Sequence, residues 1–295
     1  MIGPELVPEN ALDNVDVGVS VSDSADLGRL GLNLRHAELA IGEIARAVLV
    51  AGGRLTYGGR IKPSGFTQHL MNEVRRYGTA RWSLTICLAL PEHRKLSVAE
   101  IDEIDRQLGT WGRLMTLDSQ GEPVNWRRDR NPEGAAIEND RERQASYSAL
   151  RQFMTRTTCA RVLLGGQLTG FQGVMPGLIE EAILAIEQHQ PVYLAGGYGG
   201  AAAAVVKVLG IDSLEWLPTD LPAGHDDAPV VEALAHLSTV AANAGWSAGT
   251  NGLSEEENHL LASSHRPGDI ASLVVLGMGR LFGPAVEPGE SGDEA

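Results

Sequence analysis

Residues 161–200 read RVLLGGQLTGFQGVMPGLIEEAILAIEQHQPVYLAGGYGG, and this stretch decides the fold. Arg161–Leu164 is a short, largely apolar run that ends on Gly165-Gly166. Leu178–Glu187 then carries apolar residues at helical spacing behind Pro176-Gly177, and Pro191–Leu194 is a second apolar run that stops at Gly196-Gly197. Strand, glycine turn, helix and strand in that order make a βαβ unit, in which the helix carries the chain back so that the two strands lie parallel.

The alternation continues in both directions. Strands are predicted at Asp16–Val21, Arg54–Tyr57, Trp82–Leu88, Arg113–Leu117, Arg161–Leu164 and Pro191–Leu194. Helices are predicted at Leu34–Val50, Thr67–Tyr77, Val98–Leu108, Arg141–Thr155, Leu178–Glu187 and Ala201–Leu209. In the first of these, Leu34, Ala37, Ala40, Ile41, Ile44, Ala45, Val48 and Leu49 line one face at helical spacing. Six βα units therefore fill the chain to about residue 210. Three more helices follow, at Val230–Ala244, Glu255–Ser263 and Asp269–Phe282. The expected fold is α/β, a doubly wound Rossmann-like parallel sheet with a C-terminal helical extension. Its expected divisions are an N-terminal arm (1–14), the Rossmann-like domain (15–210), the extension (211–282) and a flexible acidic tail (283–295). Between strands four and five, residues 118–137 are polar and without period, read either as a solvated insertion or as a lid.

Composition limits the function. With 24 basic and 38 acidic residues among 295, the formal net charge is −14, which opposes a nonspecific grip on nucleic acid or an anionic membrane surface. Neither is expected as a partner. Two cysteines cannot supply a disulfide framework, and a reducing cytoplasm is the expected compartment. The acidic N-terminus is unlike a secretory signal. The eight histidines are scattered without metal-ligand spacing, so neither a metal nor another cofactor is expected.

Glycine is enriched, at 35 of 295 residues, and it gathers in the loops that follow strands, where a parallel sheet binds its ligands. The first strand runs into Ser22-Asp23-Ser24, small hydroxyls and an acid able to meet ribose or phosphate. The second runs into Gly58-Gly59-Arg60, the fifth into Gly165 and Gly166 with Gly170, Gly173 and Gly177, and the sixth into Gly196-Gly197-Tyr198. Such loops let backbone N–H groups converge on an anion beside a helix N-terminus. Glu180 and Glu181 follow Gly177, where an acid complements the helix dipole or serves the site directly.

Together Tyr57-Gly58-Gly59, Gly65-Phe66, Gly165-Gly166, Gly177-Leu178-Ile179-Glu180-Glu181 and His189-Gln190-Pro191-Val192 resemble the LOG phosphoribohydrolases, and more broadly the SLOG superfamily of Smf/DprA and LOG-like Rossmann domains, over about residues 15–210. The resemblance implies two functions. One is a sensor of a nucleotide-derived ligand such as ADP-ribose, cyclic ADP-ribose or NAD, in a prokaryotic defence or signalling system with an effector in trans. The other is an N-glycosidic hydrolase of a nucleoside monophosphate, with Glu181 on the last acid of the enzymes' PGGxGTxxE-type motif. Leu178 replaces the threonine of that motif, and the enzymes' helical arginine has no counterpart at the right spacing. Arg151 and Arg156, on either side of Met154, are the nearest, with Arg156 assigned the catalytic place. The resemblance also implies a homo-oligomer, a dimer first, and the apolar residues Leu273, Val274, Leu276, Met278 and Leu281 offer a face for it.

Overall fold

Along β1 (Asp16–Ser22), Val17, Val19 and Val21 alternate with Gly18, Ser20 and Ser22. This alternation divides the molecule, because successive side chains of a strand point to opposite faces. The computed structural model describes residues 8, 10–59, 61, 65–128, 137, 139–211 and 222–284. Five further strands join β1: β2 (Arg54–Gly58), β3 (Leu84–Leu88), β4 (Gly112–Thr116), β5 (Ala160–Gly165) and β6 (Val192–Ala195). All pair parallel, in the order β4-β3-β2-β1-β5-β6. The order reverses between β1 and β5. Connections from those two strands leave in opposite directions, which opens a crevice beyond their carboxyl ends.

The valines of β1 face α1 (Leu34–Val50) and α2 (Phe66–Tyr77), with α4 (Val98–Leu108) further along that layer. On the other face lie α5 (Asp140–Thr157), α6 (Gly177–Glu187) and α7 (Gly200–Val208). The C-terminal helices enter both layers. Val230, Ala233 and Leu237 of α8 (Ala228–Ala244) are buried with α6 and α7, while α9 (Glu255–Ser263) lies against β6 and α10 (Pro267–Phe282) lies along α1. Leu273, Val274 and Met278 of α10 are buried in the first core, Leu276 packs against it, and only Leu281 of the apolar set is well exposed. On the N-terminal side, Ala11 and Leu12 are buried and Leu12 N donates to Ala51 O at 2.8 Å.

Three local departures from the sequence reading have physical causes. Trp82 has φ of 61°, a left-handed conformation incompatible with a strand, so β3 begins at Leu84 rather than Trp82. A short helix, α3 (Leu90–Arg94), follows β3 with proline in its first turn, and its length hid it. Within 118–137, the part to Arg128 is fastened down: Val124 N donates to Thr116 O, Trp126 is buried, and Arg127 pairs with Asp102 and Asp105 of α4. That places it beside the β4 edge, three strands from the switch point. Residues 129–136 lie outside the described residues.

Candidate functional site

The carboxyl ends of β1 and β5 are locked in register, Ser22 opposite Gly165. Beyond them Gly166 N donates to Ser22 O at 3.1 Å and Gln167 N to Ser22 Oγ at 3.3 Å. Gly166 has φ of 102°, and a Cβ there would stand 2.8 Å from Leu178 and 2.9 Å from Ala201, so this turn needs glycine both for its backbone and for close packing. Gly166 O in turn accepts from Ala201 N of α7 at 3.0 Å. The result is a cleft of about 150 Å³ lined by Asp23, Ala25, Asp26, Gly166, Gln167, Leu168, Thr169, Gly200 and Ala223.

Asp26 shapes one wall. Its carboxylate is 1% exposed and accepts from Gly200 N at 2.7 Å and Ala223 N at 2.9 Å. It thereby joins the β1–α1 loop to the start of α7 and to the turn that leads into α8. Ser24 is buried and its Oγ accepts from Asp26 N, whereas Asp23 is exposed and accepts from Ser24 N through Oδ1 at 2.9 Å.

A second group of polar residues lies next to this cleft, where α5 meets the start of α6. Arg151 pairs with Glu180, each side chain 11% exposed. Its guanidinium covers the glycine loop, since a Cβ on Gly173 or Gly177 would stand 2.8 or 2.7 Å from its terminal nitrogens. Tyr147, one turn earlier on α5, donates to Glu92 and, at 3.4 Å, to Gln172 of the same loop. Deeper still is Arg161, wholly buried on β5. It lies across Gly18, its neighbour in register, and donates to Thr155 Oγ1 at 3.1 Å and Ser20 Oγ at 3.5 Å. Burial pushes Arg161 below the usual arginine range, and attraction to the Glu181 carboxylate opposes that shift. Glu181 is 7% exposed, and its Oε2, like Arg161 Nε, has no hydrogen-bond partner among the described residues. Tyr57 is pushed well above the ordinary tyrosine range by burial and by the Glu181 charge. The arrangement offers carboxylates, one largely covered guanidinium paired with Glu180, and a glycine turn at the sheet's carboxyl edge. It suits hydrogen-bonding recognition of a sugar and an anion.

The residues singled out from sequence divide into groups. Asp23 and Gly166 line the cleft and Ser22, Ser24 and Gly165 adjoin them without lining it, while Gly173, Gly177, Glu180 and Glu181 gather at the α6 start beside it. Gly170 has φ of 65° with open space around it. Gly58 packs against Met154 and Leu150 of α5, and Gly59 against the Tyr57 ring. Gly196, Gly197 and Tyr198 are buried beneath the end of α9. Their backbone is approached by Ala262 O and Ser264 O, and Tyr198 OH donates to His265 O at 3.2 Å. Arg60 lies outside the described residues. Arg156, in the last turn of α5, is half exposed and faces Glu122 at 3.8 Å, whereas Arg151 reaches the glycine loop. Asp26 and Arg161 were not singled out from sequence. The signal for Arg161 was Gly18 between two valines of the neighbouring strand, room left for a large side chain.

Among the described residues no group of three potential ligands could hold a metal ion, and no helix is long and apolar enough to cross a membrane. A comparison with curated proteins finds no match. The family model of SLOG cluster2 matches residues 11–261, spanning all six strands and the glycine loops just described, and the chain therefore belongs to the SLOG superfamily, in cluster 2.

Proposed function

We propose that the chain binds a nucleotide-derived ligand, of the ADP-ribose, cyclic ADP-ribose or NAD class, as the sensor of a prokaryotic defence or signalling system, with the effector on another protein. The observation that carries this reading is the cleft at the β1/β5 switch point, where an open parallel sheet receives its ligands. Family membership supports the nucleotide class. The turn at Ala223, tied through Asp26 to the cleft wall, offers a route from ligand to α8 and so to a partner protein.

A second reading, hydrolysis of an N-glycosidic bond, is favoured by one observation: Glu181 stands in the first turns of α6 with Oε2 unpartnered among the described residues. A carboxylate so placed could stabilise an oxocarbenium-like transition state or activate water. Two measurements separate the readings. A thermal-shift screen against AMP, ADP-ribose, NAD and cyclic ADP-ribose isomers should raise the melting temperature, a ligand at a hundredfold its Kd adding about 2.7 kcal/mol. Chromatography of the same mixtures should find the ligand intact. Release of free base from the wild type, falling by about 100-fold or more in Glu181→Gln while affinity survives, reverses the assignment in favour of the hydrolase.

A further inference from the structure

The switch-point cleft carries two carboxylates and, among the described residues lining it, no cationic side chain. The N-terminus of α7, where a helix favours a phosphate, already holds an anion that belongs to the chain. Asp26 takes Gly200 N at 2.7 Å, and Gly199 and Gly200, with φ of 71° and 61°, let the helix start approach it. A Cβ on Gly199 would stand 2.8 Å from Asp26 Oδ2. Arg29 lies 3.8 Å from the other oxygen but does not line the cleft. Asp23 differs, being exposed, with Oδ1 on Ser24 N and Oδ2 making no hydrogen bond among the described residues. The volume, about 150 Å³, equals roughly five waters at about 30 Å³ each. That is room for one sugar-sized ring, with the rest of a nucleotide extending past the open mouth.

We infer that this cleft is a ribose subsite. Asp23 accepts hydrogen bonds from the hydroxyls of a vicinal diol, in charge-assisted bonds stronger than neutral ones. Asp26 keeps phosphate away from the start of α7, because a second anion there meets a carboxylate at close range. The phosphates of the ligand lie outside the cleft, toward Arg151 and the loop at Gly173 and Gly177. The inference rests on the nucleotide reading above, and it adds which part of the ligand enters and which derivatives are refused.

Titration calorimetry on the full chain tests it with probes that differ at the diol: 5′-AMP, 2′-deoxy-5′-AMP, adenosine 2′,5′-bisphosphate and adenosine 3′,5′-bisphosphate, with ADP-ribose alongside. The deoxynucleotide should bind about tenfold more weakly than AMP, and the bisphosphates more weakly still. Asp23→Asn should cost AMP and ADP-ribose about tenfold and bring AMP level with its deoxy form. Asp23 is exposed, so this variant should keep the wild-type melting temperature, which is measured first. Equal binding of AMP and the bisphosphates, or unchanged affinity in Asp23→Asn, overturns the subsite while leaving the nucleotide reading intact. If ADP-ribose binds and AMP does not, the Asp23→Asn comparison on ADP-ribose decides alone. Failure of AMP, ADP-ribose, NAD and the cyclic ADP-ribose isomers all to bind removes the nucleotide reading and the subsite with it.

Discussion

Replacing Gly18 by alanine places a methyl group 2.8 Å from both Cζ and Nη1 of Arg161, against a guanidinium that is wholly buried. Something must move. Overpacking of a tight interior costs about 1–3 kcal/mol. Shifting the guanidinium also weakens its bonds to Thr155 and Ser20, and hydrogen bonds of charged groups are worth about 1.5–3 kcal/mol. The expected loss is about 3–5 kcal/mol, a large part of the roughly 5–15 kcal/mol that holds a protein folded. At about 2–4 °C per kcal/mol for a large domain, the melting temperature should fall by roughly 10 °C. Urea unfolding followed by tryptophan fluorescence measures the change. A double-mutant cycle isolates the cause. Arg161→Met alone should cost about 1–3 kcal/mol, because Thr155 Oγ1 and Ser20 Oγ lose their buried donor. Adding Gly18→Ala to that background should cost far less than it does in the wild type, with a coupling of about 2 kcal/mol. Gly18→Ala within about 0.5 kcal/mol of wild type, or two effects that simply add, refutes the idea that Gly18 makes room for Arg161.

Three other outcomes are expected. Glu257 is held below the ordinary glutamate range chiefly by its hydrogen bond from Arg280, so the pair stabilises the fold at neutral pH and that stabilisation is lost as pH falls through the lowered folded-state value. Arg280→Gln should therefore be less stable than wild type near neutrality, and the gap should close once the pH is well below 4.5; a gap independent of pH counts against the pair. Cys159 is exposed and Cys87 is buried with its thiol pushed up to about 12, so a thiol reagent should label one cysteine in the native protein and both after denaturation, and rapid native labelling of Cys87 contradicts that burial. Light scattering should return a dimer, with Leu39 and Val50 on α1 and Val231 on α8 among the apolar side chains left for a second copy; a monomer at micromolar concentration rejects it.

The strands were legible because alternation is a local property: Val17, Val19 and Val21 mark a buried face whatever surrounds them. Glycine loops were legible for the same reason, but their use was not. Gly166 borders the cleft while Gly58 packs against Met154 and Gly197 lies under Ser264 O, and nothing local separates a glycine that admits a ligand from one that admits a neighbouring chain. Helical phase did carry one distinction that spacing from a motif obscured. Tyr147, Leu150 and Met154 form the buried stripe of α5. Arg151 stands beside that stripe, whereas Arg156 turns away toward the exposed Glu122. Asp26 and Ala223 meet across almost two hundred residues, and such a contact leaves no trace in either segment.

The packing of α10 along α1 delays the covering of α1 during synthesis. Ile41, Ile44, Ala45 and Val48 emerge early, yet part of the cover over their layer, including Ile270, Val274 and Met278, emerges more than two hundred residues later. At about 5–20 residues per second, on the order of 10–40 s separate the two helices. Throughout that interval β1, β2 and α2 cover α1 from one side only, and termination before Pro267 leaves the side that α10 packs on open to water.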